Sequence, residues 1–255
     1  VYNRSLDVHA DFIAGVEMNR YLYESGATRE ACASVVVKNR RNALTNPLAG
    51  YGALVSVDDV LQAHRVSDPL GELDIAAPAD GAVVVVLAEE ALAKSLTHRP
   101  VWVRGIGWCS DSPSLESRDW GSAVYTRLAA EMAYKQARIR SPRKEIDFVE
   151  LSDEYSYKEL QHLEALMLCL PGEAGHLTEA GVTEMTGDLP VNPSGGCLGV
   201  GHLLEANGAH KVLEVVLQLR GEKGKNQVRG GHVGLAQTWR GVPTTTGAVA
   251  VLANE

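Results

Sequence analysis

The chain has 255 residues, 45% hydrophobic and 22% charged, with a formal net charge of −8. That is enough apolar material for one large domain or two small ones. Acidic and basic residues are mixed along it, and no Arg/Lys stripe interleaves with aromatics, which argues against nucleic acid as a partner. The longest apolar run, 82–88, is too short to span a bilayer, and no secretory signal is visible. The four cysteines, Cys32, Cys109, Cys169 and Cys197, lack metal-type spacing. They predict reduced thiols, no metal ion and a cytoplasmic protein.

Taken in order, Val8, Phe12, Ile13, Val16, Met18, Tyr21 and Leu22 predict an amphipathic helix over 6–25, ended by Gly26. Thr28 caps a second helix reaching about 42, and Ser56 caps a short one over 57–63. Pro69, Gly71 and Pro78 keep the next part irregular. Residues 80–88 read as a continuous strand buried on both faces, followed by a helix over 89–95 and a strand over 101–108. Val124, Leu128 and Met132 predict a helix over 121–138. A strand at 145–151 and a helix at 157–170 come next. A long helix over 201–220 carries Val212, Leu213, Val215, Val216 and Leu219 and ends at Gly221. Closing strands fit 231–237 and 247–252. The alternation from 99 onward predicts a layered α/β domain.

One stretch concentrates the chemistry: Asn192-Pro-Ser-Gly-Gly-Cys-Leu-Gly-Val-Gly-His202. Gly195, Gly196, Gly199 and Gly201 allow tight turns and close approach of backbone to a ligand. His202 adds a titratable ring beside backbone N–H groups that can hold developing negative charge. A plain turn that packs a helix on a sheet, with an incidental histidine, fits the same residues.

Asn192-Pro-Ser-Gly-Gly, Gly201-His202 and Ala206-Asn207-Gly208 together resemble the glycine–histidine loop of the thiolase superfamily, NPSGG…GHPxGATG, in its sterol-carrier-protein-2 (lipid-transfer) type. The resemblance implies a thiolase-like layered α/β/α fold. It implies a mostly helical loop domain over 1–78, gripping the pantetheine arm of coenzyme A. Residues 79–98 would be the last strand and helix of an N-terminal core domain, and 99–255 a C-terminal core domain with a mixed sheet. The rest of the N-terminal core domain, with the acyl-accepting cysteine, is then expected outside these residues, on the same or a separate chain. Coenzyme A would be a co-substrate, with no covalently bound cofactor. A homodimer of the complete protein and a small zinc-ribbon/OB-fold partner are further implications.

The same resemblance assigns candidate roles. Val149-Glu-Leu-Ser-Asp-Glu-Tyr155 aligns with the family's VELHDCF loop. Ser152 takes the place of its histidine, Glu154 that of its acid/base cysteine, and Tyr155 that of its phenylalanine. Ser152 can donate to an oxyanion or hold a water there. Glu154, half-buried in a cleft, would have a raised pKa and shuttle a proton; alternatively Asp153 and Glu154 merely start a helix. His202 would polarise the thioester carbonyl. Glu205, in place of a glycine, is either a first-turn dipole partner or a substrate-reading or acid/base group. In Gln237–Gly247, Trp239 and Arg240 would put a flat group and a cation near the pocket, unless this is only a surface turn punctuated by Pro243 and Gly247. Asn192, Gly195, Gly196 and Gly201 are the expected contacts to coenzyme A. Cys197 is nearest to His202, yet it stands where relatives carry an apolar residue. The implied function is a β-oxidation-type acyltransferase acting on a 3-oxoacyl-CoA, with a bulky or aromatic acyl group. A retro-aldol lyase of the steroid side-chain type and a non-catalytic acyl-CoA-binding subunit are the alternatives.

Overall fold

The computed structural model describes residues 9–112, 114–241 and 245–255. Leu6 and Val8 of the first predicted helix and Pro243 of the last predicted turn lie outside the described residues.

Helix α1 (Ala10–Ser25) starts at His9, whose ring nitrogen accepts the Phe12 N–H at 3.4 Å, and stops at Gly26 with φ 73°. That left-handed cap suits a residue without Cβ. Helix α2 (Arg29–Ala43) is capped by Thr28, which accepts the Ala31 N–H at 3.0 Å. Helix α3 (Val57–Gln62) carries a reciprocal Ser56/Asp59 capping box. Two short strands, β1 (Arg65–Ser67) and β2 (Leu70–Gly71), then form an antiparallel ladder. After them the chain runs between two loops that matter below. Ala76 donates to the Glu154 carbonyl at 2.9 Å, His202 donates to the Ala77 carbonyl at 2.8 Å, and Ala79 to the His202 carbonyl at 3.0 Å.

Residues 80–88 correct the sequence reading. They are not a buried strand: none pairs, and Val84, Val86 and Leu87 are each at least 80% exposed. A strand needs a neighbour for its N–H and C=O groups, and the described residues offer it none. Helix α4 (Glu90–Leu96) follows, as expected.

Among the described residues the main sheet has four strands in the order β3-β6-β5-β4: β3 (Trp102–Ser110), β4 (Phe148–Glu150), β5 (Val233–Arg240) and β6 (Thr246–Ala253). Strands β3 and β5 both pair antiparallel with β6, and β4 runs parallel to β5, so the sheet is mixed. Successive residues face opposite layers. Leu235, Val249 and Val251 join the core with Ala129, Ala130 and Ala133 of α5 (Val124–Ala137) and with Leu160 and Leu163 of α7 (Ser156–Ala165). Phe148, Ala236 and Leu252 face Val215 and Leu219 of α10 (Asn207–Leu219) instead. Helices therefore cover both faces, the layered α/β/α arrangement expected. Gly105 and Gly107 let α5 lie close on β3, because a Cβ on either would run into a helix carbonyl oxygen, of Ala133 or Ala129.

Boundaries shift where local chemistry intervenes. The helix expected over 157–170 stops at Ala165. The expected 201–220 helix is α10 alone; a short helix, α9 (Gly196–Val200), precedes it, and Gly201, at φ 119°, breaks the path between them. Short helices α6 (Pro142–Glu145) and α8 (Ala174–Glu179) lie outside the elements that the sequence predicts. Among the described residues no helix is long and apolar enough to cross a membrane.

Candidate functional site

The turn after β4 is built round Asp153. Its Oδ1 accepts the Cys197 backbone N–H at 2.6 Å, and Oδ2 accepts the Leu198 N–H at 3.2 Å and the Asn39 amide at 2.8 Å. Lys211 Nζ stands 3.5 Å from Oδ1 and 3.7 Å from Glu150. Asp153 thus caps the Gly196–Val200 helix from outside and ties the 152–155 turn to the glycine loop. Lys38 pairs with Glu159 at 2.9 Å in the same buried layer, so each charge there has an opposite charge within reach rather than standing isolated.

This layer accounts for several residues expected to touch coenzyme A. Asn192 is fully buried: its amide donates to Glu159 at 2.8 Å, and its Oδ1 accepts the Leu151 N–H at 2.9 Å. Gly195 lies against Ala43, and a Cβ on Gly196 would collide with the Asp153 carboxylate. Gly201 packs on Ala79 and the Tyr51 ring. None of these four lines the cavity described next. Close packing within the chain is reason enough for their small or buried side chains.

Glu154 points the other way. It borders a cavity of about 640 Å³ whose wall includes Tyr155, His202, Glu205, Trp239 and Arg240. Its Oε1 accepts from Ser152 Oγ at 3.1 Å and Asn207 Nδ2 at 3.0 Å, with the Cys197 thiol at 3.7 Å. Its Oε2 has no hydrogen-bond partner among the described residues. Burial pushes this carboxyl above the ordinary carboxylate range, against the opposing pull of His202. Ser152 is itself fully buried, and its Oγ also accepts the Trp239 N–H at 3.0 Å. Both directions of its hydroxyl are used, so Ser152 supports Glu154 rather than offering a donor to a ligand.

His202 is half-buried beside Glu154, with Nδ1 2.6 Å from Asn207 Nδ2. Trp239 is held by its neighbours: Tyr155 meets it edge-on, and Lys158 Nζ lies 4.4 Å from its ring centroid. Lys158 and Arg118 share the buried carboxylate of Glu17, at 2.9 and 3.1 Å. Burial drives the Lys158 ammonium down, and Glu17 opposes that shift. Arg240 and Glu205 pair at 3.1 Å on the exposed rim, so Glu205 stands at the mouth and not beside Glu154.

No cysteine lines this cavity among the described residues. Cys32 and Cys197 are buried with thiols pushed up by desolvation, and Cys169 is pushed up to about 12 by the same cause. A thiol held protonated is a poor nucleophile. Glu154, Cys197 and His202 do bring one ligand atom each within 4.8 Å of one another, a donor set of the kind that takes a thiophilic divalent ion. Here Asn207 already engages both the Glu154 and the His202 side chain, which suits the group to proton handling.

Sequence reasoning gave Asn207 and Asp153 no catalytic part, and they prove to organise the site. The only signal was the position of Asn207 in the Ala206-Asn207-Gly208 run, because its contact to Glu154 spans 53 residues of chain.

The family model described as thiolase C-terminal domain-like matches residues 108–254. An acetyl-CoA acetyltransferase of Methanothermobacter thermautotrophicus is 40% identical over 233 residues, covering 91% of this chain and 60% of that protein. Sterol carrier protein 2 of Bos taurus is 33% identical over 221 residues, 84% of this chain and 40% of its own length. Among solved structures, an Ltp2–ChsH2(DUF35) aldolase superposes with a TM-score of 0.82 at 25% identity, covering 95% of this chain and 63% of that one. The chain therefore spans roughly half of the length of the relatives it matches.

Proposed function

The chain belongs to the thiolase superfamily, in its sterol-carrier-protein-2 type, and we propose that it supplies the acid/base half of a thiolase-like acyltransferase acting on a 3-oxoacyl-CoA. The observation that carries this reading is the buried Glu154 carboxyl, with one oxygen unpartnered among the described residues, beside His202 in a cavity of about 640 Å³. It stands where the family places its acid/base cysteine. In the cleavage direction a thiolate attacks the C3 carbonyl and the C2–C3 bond breaks. The electron pair is left on C2 as an enolate, and Glu154 delivers a proton to that carbon. His202 would polarise the thioester oxygen of the same enolate.

The acyl-accepting thiol would come from the N-terminal core domain, outside these residues, with coenzyme A as co-substrate. The size of the cavity and its Trp239 wall support a bulky or aromatic acyl group. Residues 1–78 are read as the loop domain over the coenzyme A arm, 79–98 as the last strand and helix of the N-terminal core domain, and 99–255 as the C-terminal core domain. By its printed name the aldolase neighbour is a two-component assembly; for this chain the corresponding proposal is a small zinc-ribbon/OB-fold partner on a homodimer.

The test is incubation of the complete protein with coenzyme A and a series of 3-oxoacyl-CoA thioesters. Two shorter acyl-CoA products are expected, and no turnover across the series would overturn the reading. A second reading, retro-aldol cleavage of a 3-hydroxyacyl-CoA, draws on the absence of a cysteine from the described cavity wall. It predicts release of an aldehyde or ketone without free coenzyme A, which the thiolase reading forbids.

A further inference from the structure

We infer that Asn207 is a positioning residue that fixes His202 as the tautomer protonated on Nε2 and, with the same amide nitrogen, ties that ring to Glu154. The geometry is independent of the acyltransferase reading, while its consequence for turnover rests on that reading.

An amide side chain has one end that donates and one that accepts. Asn207 Oδ1 lies 2.8 Å from the Leu203 backbone N–H, which can only donate, so the oxygen end of the amide is identified. Nδ2 then faces Glu154 Oε1 at 3.0 Å and His202 Nδ1 at 2.6 Å. A ring nitrogen that meets an N–H donor at that distance must be bare, which leaves the imidazole proton on Nε2. The same logic places the Glu154 proton. Ser152 Oγ accepts the Trp239 N–H, so its own hydrogen goes to Oε1. The Cys197 thiol adds a further donor to Oε1. With these donors on Oε1, the carboxyl proton belongs on Oε2, the oxygen without a partner among the described residues.

One amide therefore divides the labour. His202 offers a hydrogen bond from Nε2, and Glu154 exchanges a proton at Oε2. Asn207 is only 4% exposed and begins α10, so its position is set by the helix. In the GATG run the matching residue is threonine, whose rotatable hydroxyl donates or accepts and would leave the tautomer open. An amide anchored by Leu203 has no such freedom.

The test uses the complete protein labelled with ¹⁵N-histidine. In the native protein the His202 Nδ1 should resonate as a bare ring nitrogen and Nε2 as a protonated one. Asn207→Asp, equal in shape, presents an acceptor to Nδ1 and should move the proton to that nitrogen. Asn207→Leu should give a mixture of tautomers and lower turnover roughly a hundredfold, with KM changed by no more than about threefold. A protonated Nδ1 in the native protein, or spectra unchanged by both substitutions, would overturn the inference. The expected shifts in a protein that turns over nothing would uphold it and sink the acyltransferase reading instead.

Discussion

The backbone N–H of Cys197 and Oδ1 of Asp153 are 2.6 Å apart, and this bond closes the seam between the turn after β4 and the glycine loop. Asp153 also accepts from Leu198 and Asn39 and faces Lys211, all buried. Removing it leaves the Lys211 ammonium, among the described residues, with Glu150 at 3.7 Å as its remaining ion-pair partner, beside the Asn192 amide oxygen at 3.4 Å. Asp153→Ala should therefore cost about 3–5 kcal/mol, the range for breaking a buried ion pair from one side. Denaturant unfolding checks this; a loss under about 1 kcal/mol would show that the seam is held by something else.

Glu154, one residue on, should behave in the opposite way. Glu154→Gln keeps the shape and the contacts to Oε1 but cannot cycle a proton, so turnover should fall roughly a hundredfold or more. Stability carries a signature of its own. Burial raises this carboxyl above its ordinary value of 4.5, so the folded state holds the proton more tightly than the unfolded chain. The resulting stabilisation is complete below that ordinary value and is lost as pH climbs through the folded one. The glutamine variant loses nothing on that climb, so its stability should improve relative to the native protein as pH rises above about 4.5. Unfolding curves across that range decide it, and a gap that stays constant with pH would remove the raised carboxyl from the account.

His202→Ala removes a ring from the cavity wall, while the backbone bonds to Ala77 and Ala79 remain. The fold should survive, and turnover should drop by roughly a hundredfold to a thousandfold, the usual cost of one oxyanion donor. A near-normal rate in a folded variant would take His202 out of the mechanism.

Much of this architecture was legible in the sequence because its signals are local. Thr28, Ser56 and Gly26 mark helix ends through contacts within a few residues, and the structure shows those caps. Leu235 and Ala236 alternate across the sheet with the period a strand demands. The apolar run 82–88 misled, because periodicity reports what a segment could bury and not whether a neighbour is present to pair with it. Asn192, Gly195 and Gly196 show a different limit. A glycine permits close approach, but sequence does not say whether a ligand or the chain's own Ala43 and Asp153 will come close. Ser152 and Glu154 could be named from their place in a motif, whereas the amide that organises Glu154 arrives from Asn207 through tertiary structure alone.

At the cavity mouth, Glu205 and Arg240 form a pair whose side chains are 76% and 64% exposed. Such pairs contribute about 0–1 kcal/mol, and Glu205 stands apart from the proton-handling group. Glu205→Ala should leave stability within about 1 kcal/mol and turnover at saturating substrate within a few-fold, with any effect confined to KM. A hundredfold loss of turnover in this variant would return Glu205 to the acid/base role and weaken the case for Glu154.

The last prediction concerns residues 82–88. Val84, Val86 and Leu87 are each at least 80% exposed, beside α4 with Leu92 and Leu96 also uncovered. A contiguous apolar segment of this kind marks a surface that another part of a protein covers, and its unpaired backbone offers an edge for strand addition. The 255 residues on their own should therefore self-associate. Val84→Asp with Val86→Asp should bring them toward the monomer, since charges on an exposed edge block pairing. In the complete protein the same pair of substitutions should act in reverse. If the segment becomes an internal strand of the other core, two buried carboxylates would destabilise it by several kcal/mol. Sedimentation of the first and thermal unfolding of the second give the two readings. A native 255-residue chain that stays monomeric, or a complete protein indifferent to both charges, would show that this stretch is a solvent-facing connection and that the N-terminal core domain is completed without it.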